Sequence, residues 1–262
     1  MKKIIVSLLF LLPLKVQALK IAALMPSHVE IICSIGMCGD LVAVGSYCDW
    51  PKELKSKPKA GDYFKPDLEK LYSLKPDLVF LPLSLNSNAA SDLKKIGLKA
   101  IEIEPEKNIG DICLTAKKIA SYAGRDKEAE KFCLKLNLEI SKFKPKNRKK
   151  IFYEIDSGFW TAGGESFLSD VLSKAGGRNI FEARKENYFK VSWETVIKEN
   201  PDIIISNYSK PEYFYSLPLA DKVSAVKNKK VFLLEKNHRD ILVRPGPRIP
   251  RAVKKLSEMI DE

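Results

Sequence analysis

Aromatic side chains are the residues of this sequence that are best suited to contact another molecule. They occur in close pairs within segments that read as loops: Tyr47 and Trp50, Tyr63 and Phe64, Phe159 and Trp160, Tyr188 and Phe189. An aromatic ring offers a large contact area at a small cost in conformational entropy. The pattern therefore predicts walls for a large, flat, partly apolar ligand.

Groups that perform catalysis are scarce. The chain has two histidines, His28 and His238, which leaves little for general acid–base work. No G-x-S-x-G, P-loop or G-x-G-x-x-G motif occurs. We expect no catalytic residues, no enzymatic activity and no bound cofactor.

The sequence says less about metal binding and disulfide bonds than about the aromatic residues. The five cysteines include no C-x-x-C pair, so a Cys/His zinc site is not expected. A carrier of a bare metal ion is a minor alternative, because such sites use several histidines and carboxylates. Cys113 and Cys133 lie on successive predicted helices and could form a bridge, but the pairing is left open.

A polar cluster follows the last predicted strand. Asn237, His238, Arg239 and Asp240 lie after the strand that ends at Leu234, in a predicted loop. They could hydrogen-bond ligand amides or an anionic chelate. The arginines of the run 244–248 have two interpretations. An anionic ligand would favour an arginine in its site, and a structural ion pair is the alternative.

The N-terminus resembles an export signal. Lys2 and Lys3 precede the apolar run 4–14, and small or modest residues occupy positions 16–18. This run is too short to span a membrane. We expect residues 1–18 to be cleaved after Ala18, which places the mature protein in the periplasm. The net charge of +12 comes from lysines interleaved with glutamates, without the basic stripe expected for nucleic-acid binding.

An internal repeat organises the chain. Tyr63-Phe64-Lys65 recurs as Tyr188-Phe189-Lys190, Glu69 as Glu194, and Pro76-Asp77 as Pro201-Asp202, all at an offset of 125. Each copy reads as a loop, a short helix, a Pro-Asp turn and a buried strand. A weaker echo at an offset of 140 relates helices that close on Gly36 and Gly176. Two long copies predict two similar lobes.

The repeat and the strand pattern together predict an α/β fold. Short buried strands alternate with helices, which favours two Rossmann-like lobes of mostly parallel sheet flanked by helices. We assign residues 19–125 to the N-terminal lobe and 149–262 to the C-terminal lobe. Residues 126–148 form the connection, a long rigid amphipathic helix whose apolar face includes Phe132 and Leu136. A ligand cleft is expected between the lobes.

Several segments in order resemble the helical-backbone class of periplasmic substrate-binding proteins of ABC importers. They are Met25-Pro26-Ser27 with Glu30, Ser46-Tyr47-Cys48-Asp49-Trp50-Pro51, Gly61, Asp67-Leu68-Glu69, Leu74-Lys75-Pro76-Asp77-Leu78-Val79 and Arg244-Pro245-Gly246-Pro247-Arg248. Members of this class carry cobalamin, haem or ferric siderophores. The segment 46–51 is most similar to the cobalamin-binding branch.

The resemblance implies a small-molecule carrier that works as a monomer and docks on a permease dimer. The expected ligand is a corrinoid, with haem or a ferric siderophore as the alternative. Glu69 and Glu194 are expected to dock on the permease, one from each lobe. Ligand contacts are expected from the aromatic pairs and Arg239: Tyr47, Trp50, Tyr63, Phe64, Phe159, Trp160, Tyr188, Phe189 and Arg239.

Overall fold

A computed structural model describes residues 19–84, 88–144 and 148–262 of the chain. The predicted export segment 1–18 lies outside the described residues. Two parallel sheets form, each covered by helices, as the alternating pattern predicts. We call the first sheet with its helices lobe one and the second sheet with its helices lobe two.

Lobe one contains a four-stranded parallel sheet in the order β2-β1-β3-β4. Its strands are Ile21–Ala23 (β1), Leu41–Val44 (β2), Leu78–Pro82 (β3) and Ala100–Ile103 (β4), and its helices are Pro26–Ser34 (α1), Leu68–Leu74 (α2), Ala89–Lys95 (α3) and Asp111–Ser121 (α4). The central strands are buried on both faces, because helices cover both sides of the sheet.

Lobe two repeats this arrangement, with a parallel sheet in the order β10-β9-β5-β7 and a separate antiparallel pair of β6 and β8. Its strands are Lys149–Glu154 (β5), Trp160–Ala162 (β6), Gly177–Asn179 (β7), Tyr188–Lys190 (β8), Ile203–Ser206 (β9) and Val231–Leu233 (β10). The helices are Phe167–Lys174 (α6), Trp193–Glu199 (α7), Pro211–Tyr215 (α8), Ser224–Lys227 (α9), Lys236–Leu242 (α10) and Ile249–Asp261 (α11).

The repeat seen in the sequence is visible in the helix ends. Helices α2 and α7 are both seven residues long. The side chains of Asp67 and Ser192 cap their N-termini by accepting backbone N–H groups. Lys75 and Asn200, also 125 residues apart, end the two helices with left-handed backbone. The copies therefore share local geometry as well as sequence.

The Pro-Asp turns anchor equivalent strands in the two lobes. Asp77 accepts the backbone N–H of Lys20 at 2.8 Å and donates its own N–H to the Lys20 carbonyl at 2.8 Å. Asp202 makes the same two bonds with Lys150, also at 2.8 Å. Each aspartate thereby sets the register of a pair of parallel strands, β1 with β3 and β5 with β9.

Glycines close the helices of the weaker echo. Gly36 and Gly176 have φ of 82° and 97°, in the region that glycine adopts without strain. Gly177 begins β7, where a Cβ would lie 2.2 Å from the Ile151 side chain. Close packing between neighbouring strands is the reason for the glycine there.

The connecting helix α5 spans Asp126–Ile140 and is shorter than the predicted connection to 148. Its predicted apolar face is buried, including Phe132, Cys133 and Leu136. Helix α5 packs against α4 of lobe one and α11 of lobe two. It therefore contacts both lobes.

The disulfide joins Cys33 to Cys38, at the end of α1. The possible Cys113–Cys133 bridge does not form: both are buried thiols, and the Cys133 Sγ lies 3.8 Å from the Cys113 carbonyl oxygen. Burial, together with the neighbouring Cys133, raises the pKa of Cys113 to about 12. The Cys113 thiol therefore stays protonated, and both buried side chains pack as small apolar groups.

Within the described ranges, every helix is either too short or too polar to cross a bilayer.

The paired aspartates give a stability prediction. We expect Asp202→Ala to lower the free energy of unfolding by about 1.5–3 kcal/mol, because a part-buried backbone N–H loses its charged acceptor. The more exposed Asp77→Ala should cost about 1 kcal/mol. Urea unfolding checks both, with the exposed Asp221→Ala as the control. Equal midpoints for all three variants would contradict the register role.

Candidate functional site

A cavity of about 370 Å³ lies between the lobes. Half of the residues in its wall lie at or just after the carboxyl ends of strands, where parallel α/β sheets bind ligands. Lobe one contributes Met25, His28, Pro82, Pro105 and Glu106. Lobe two contributes Tyr153, Ile155, Phe167, Leu168, Tyr188, Asn207, Leu242, Val243 and Pro245.

His28 is the most unusual polar group of this wall. It lies in the first turn of α1 and is only 2% exposed. Its Nδ1 has no hydrogen-bond partner. Burial lowers its pKa to about 3, so the imidazole is neutral at physiological pH. A neutral ring with a free nitrogen can exchange a hydrogen bond with a ligand, but it supplies no positive charge.

The opposite wall is fixed by a hydrogen-bond chain in lobe two. The Tyr153 hydroxyl donates to the Asn207 side-chain oxygen at 2.5 Å, and burial raises the Tyr153 pKa. The Asn207 carbonyl accepts from the Arg239 guanidinium. Arg239, predicted to contact ligand, does not line the described cavity and instead bonds the backbone of Asn207, which does.

Glu106 places a carboxyl group at the cavity. It accepts a hydrogen bond from the Thr115 hydroxyl at 2.7 Å. Burial raises its pKa, and the Thr115 hydrogen bond partly opposes that shift. Among the described residues that line the cavity, neither lysine nor arginine occurs. The wall is therefore neutral to acidic.

One of the predicted aromatic residues, Tyr188, lines the cavity. Burial raises the pKa of its hydroxyl, although 56% of the residue is exposed. Sequence reasoning missed Tyr153 and Phe167. Both follow ordinary core patterns, a buried strand and the start of a helix, so the signal available was only their position at the carboxyl edge of the sheet.

Phe159 and Phe189 pack into the aromatic core of lobe two. The Phe159 ring stacks on Trp193 at 5.9 Å and on Tyr213 at 6.0 Å between centroids. Phe189 meets Phe181 edge-on at 5.5 Å and carries the Arg184 guanidinium at 4.7 Å. These rings stabilise lobe two rather than line the described cavity.

The remaining aromatic residues do not line the described cavity. Tyr63 contacts Phe64 at 4.5 Å between centroids, and burial with nearby Asp62 and Tyr47 raises the Tyr63 pKa. Tyr47 and Phe64 are largely exposed, as is Trp160 at the start of β6. Ligand contact by these four residues stays a prediction.

The polar segment after the last strand is helical, not a loop as predicted. Residues 237–240 belong to α10, which begins at Lys236. His238 Nδ1 lies 3.9 Å from the Glu235 carboxylate, one turn away. The segment has no Pro or Gly to interrupt a helix, and this was the signal available in the sequence.

Trp50 stands apart from the cavity. Its ring lies beneath the Arg248 guanidinium, 4.8 Å from the centroid. Arg248 donates to both carboxylate oxygens of the buried Glu30, and Arg244 bonds Asp49. Of the two interpretations of these arginines, the structure shows the ion pair.

Glu69 and Glu194 occupy equivalent exposed positions. Each is the second residue of its helix, α2 or α7, where a carboxylate is favoured by the helix dipole. A hydrogen bond from its own backbone N–H lowers the Glu194 pKa, with a smaller effect of the Ser192 hydroxyl. Both side chains are available to a partner.

No three His, Cys, Asp or Glu side chains of the described segments come together as a metal site.

A sequence profile of the periplasmic binding protein family matches residues 21–238. The chain belongs to this family. A vitamin B12-binding protein of Vibrio vulnificus is 27% identical to it, over 98% of this chain and 97% of the relative. An ABC transporter substrate-binding lipoprotein of Bacillus subtilis is 26% identical, over 94% of this chain and 81% of the relative.

Solved structures confirm the two-lobed α/β fold. The periplasmic vitamin B12 binding protein of Vibrio cholerae superimposes with a TM-score of 0.76 at 25% identity, covering 92% of this chain and 96% of its own. A possible iron-binding periplasmic protein of Staphylococcus epidermidis gives 0.83 at 30% identity, covering 93% and 98%. A haem-binding protein of Vibrio cholerae gives 0.81 at 18% identity, covering 94% and 100%, and shows the fold alone.

The buried His28 predicts acid sensitivity. Unfolded histidine takes up a proton near pH 6.5, whereas folded His28 does so only near pH 3. Between these values the unfolded chain binds more protons, so stability falls as the pH is lowered, by about 1.4 kcal/mol per pH unit from this group. Urea unfolding at several pH values should give a shallower dependence for His28→Gln than for wild type. The more exposed His238→Gln is the control, and parallel curves for wild type and His28→Gln would refute the assignment.

Proposed function

We propose that this protein captures a corrinoid of the cobalamin type in the cavity between its lobes and delivers it to an ABC importer. The family and the vitamin B12-binding relatives support a transport role. The proposal needs a choice among the ligands of the related proteins, which include haem and iron compounds. The charge of the cavity wall guides that choice.

The absence of cationic side chains from the described cavity wall carries the proposal. Haem bears propionate carboxylates and ferric catecholates are anionic, so their sites favour arginine or lysine. The periphery of a corrin carries neutral primary amides, which donate and accept hydrogen bonds. His28, Asn207, Tyr188 and Glu106 offer matching partners for amides.

The apolar part of the wall suits the same ligand. Phe167, Leu168, Leu242 and Val243 provide aliphatic and aromatic surface beside the polar groups. The cavity is at the small end of the range for ligand sites. We therefore expect part of a corrinoid to extend beyond it, against the exposed aromatic residues predicted from the sequence.

Haem or a ferric siderophore is the second candidate. Tyrosine hydroxyls bind ferric iron, and Tyr188 at the cavity is the residue that favours an iron-containing ligand. The Tyr153 hydroxyl is already used by Asn207. A carrier of a bare metal ion is the weakest candidate, because histidine and carboxylate ligands do not cluster in the described parts of the chain.

The same proposal covers enzymatic activity, location and docking on the permease. A carrier holds its ligand without chemistry, so we infer no enzymatic activity. Cleavage after Ala18 releases the carrier into the periplasm as a monomer. The exposed Glu69 and Glu194 present one carboxylate per lobe, which fits a permease with twofold symmetry.

The first experiment is gel filtration of residues 19–262 with cyanocobalamin, recorded at visible wavelengths. We expect about one ligand per chain to co-elute, because residues of both lobes line the proposed cavity together. Haemin and a ferric catecholate siderophore are run on the same column. Binding of haemin or the siderophore without cyanocobalamin would overturn the corrinoid assignment.

A charge reversal tests the basis of the selectivity. Glu106→Lys should weaken cyanocobalamin binding about tenfold or more and strengthen haemin binding, because a cation replaces a carboxyl at the cavity. Titrations followed by absorbance measure both affinities. The exposed neighbour Glu104→Lys is the matched control. Equal effects of the two substitutions would show that overall charge, not the cavity wall, sets the selectivity.

Docking is tested separately from ligand binding. The double variant Glu69→Lys with Glu194→Lys should keep ligand affinity but abolish stimulation of the transporter ATPase, since rim charges set orientation and encounter. The control is Glu53→Lys with Glu130→Lys, which reverses two other exposed glutamates. Normal stimulation by the first double variant would eliminate the docking role.

A further inference from the structure

A buried carboxylate joins the two lobes. Glu30 of α1 is 1% exposed and belongs to lobe one. Arg248, immediately before α11 in lobe two, donates from Nε to one carboxylate oxygen at 2.9 Å and from Nη2 to the other. This two-point contact fixes the direction of approach as well as the distance.

A second pair extends the contact. Arg244 Nη1 of lobe two lies 2.5 Å from Asp49 and 3.9 Å from Glu30. The cluster thus holds two carboxylates from lobe one and two guanidinium groups from lobe two. The Trp50 ring lies against the Arg248 guanidinium and orients its plane. Every charge of the cluster has a partner in the other lobe.

The cluster lies on the same segments as the cavity wall. His28, with its free Nδ1, is two residues from Glu30 in α1. Pro245 lines the cavity between Arg244 and Arg248. A change in the relative position of these arginines and Glu30 would therefore move two cavity walls relative to each other.

A buried ion-pair cluster is weak evidence for a role in stability alone. Removing two charges from water carries a large desolvation penalty, and their attraction offsets it only with good geometry. Apolar residues of similar volume often stabilise as well or better. What the apolar replacement lacks is the fixed direction of a bidentate contact.

We propose that Glu30 and Arg248 are positioning residues, which hold the lobes at one spacing next to the cavity and thereby set ligand affinity. The affinity part rests on the proposed corrinoid function. The spacing part concerns the two lobes alone and is measured without ligand.

Three variants separate positioning from stability. Glu30→Gln keeps the shape and removes the charge, and Arg248→Lys keeps the charge and removes the two-point contact. The double variant Glu30→Met with Arg248→Met replaces the buried pair with apolar side chains of similar length. The control is Glu258→Gln, which breaks the exposed Lys254–Glu258 pair on α11.

Urea midpoints, amide exchange of residues 25–30 and 243–249, and cyanocobalamin affinity are measured for each protein. We expect about tenfold weaker binding and faster exchange for Glu30→Gln and Arg248→Lys. The double methionine variant should recover the wild-type midpoint but keep the weak binding and fast exchange. Glu258→Gln should match wild type throughout.

Wild-type exchange and affinity in the double methionine variant would overturn the proposal, since an apolar contact would then suffice. If that variant does not fold, Arg248→Lys decides: wild-type exchange and affinity there would also overturn it. If wild type does not bind cyanocobalamin, the proposed function fails. Amide exchange of the two segments then still supports or refutes the positioning role.

Discussion

The carboxyl ends of parallel strands lie along one edge of a sheet, and this constraint determines where the protein can hold a ligand. Both lobes contain such a sheet, and strand-end residues of both sheets line the same cavity. Backbone groups within each sheet pair with neighbouring strands. Side chains beyond the strand ends, such as those of His28 and Asn207, are not constrained by this pairing and can differ between the two lobes. The repeated scaffold thus supports a wall that is not repeated.

The described cavity wall carries no cationic side chain, whereas the neighbouring contact between the lobes carries two. The cavity wall includes the carboxyl of Glu106 without a described cation, while the adjacent contact between the lobes concentrates Arg244 and Arg248 on Glu30 and Asp49. Arg244 and Arg248 are therefore engaged by acidic partners of lobe one. This separation leaves neutral hydrogen-bonding groups to face a ligand, which is the chemical basis for preferring an amide-rich molecule.

Sequence patterns predicted the scaffold well because they depend on local rules. The offset of 125 corresponds to matching helices, caps and Pro-Asp anchors, and the apolar face of α5 is buried as its periodicity requires. The aromatic pairs were a poorer guide to the cavity. Phe159 and Phe189 are half-buried and pack against the core of lobe two, and Trp50 packs under Arg248. An aromatic residue in a loop fits a core or a binding wall equally well, and only its neighbours in space decide.

The sequence by itself determined the two-lobed α/β architecture, the equivalent placement of Glu69 and Glu194, and the family. The architecture and the equivalent glutamates follow from periodicity, turn residues and a repeat, whereas the family follows from the resemblance of several motifs in order. Tertiary structure decided that Cys33 pairs with Cys38 rather than Cys113 with Cys133, that Arg239 supports Asn207, and that Arg248 reaches Glu30. Glu30 and Arg248 are 218 residues apart, and a contact between distant residues depends on how the lobes pack, which no local pattern encodes.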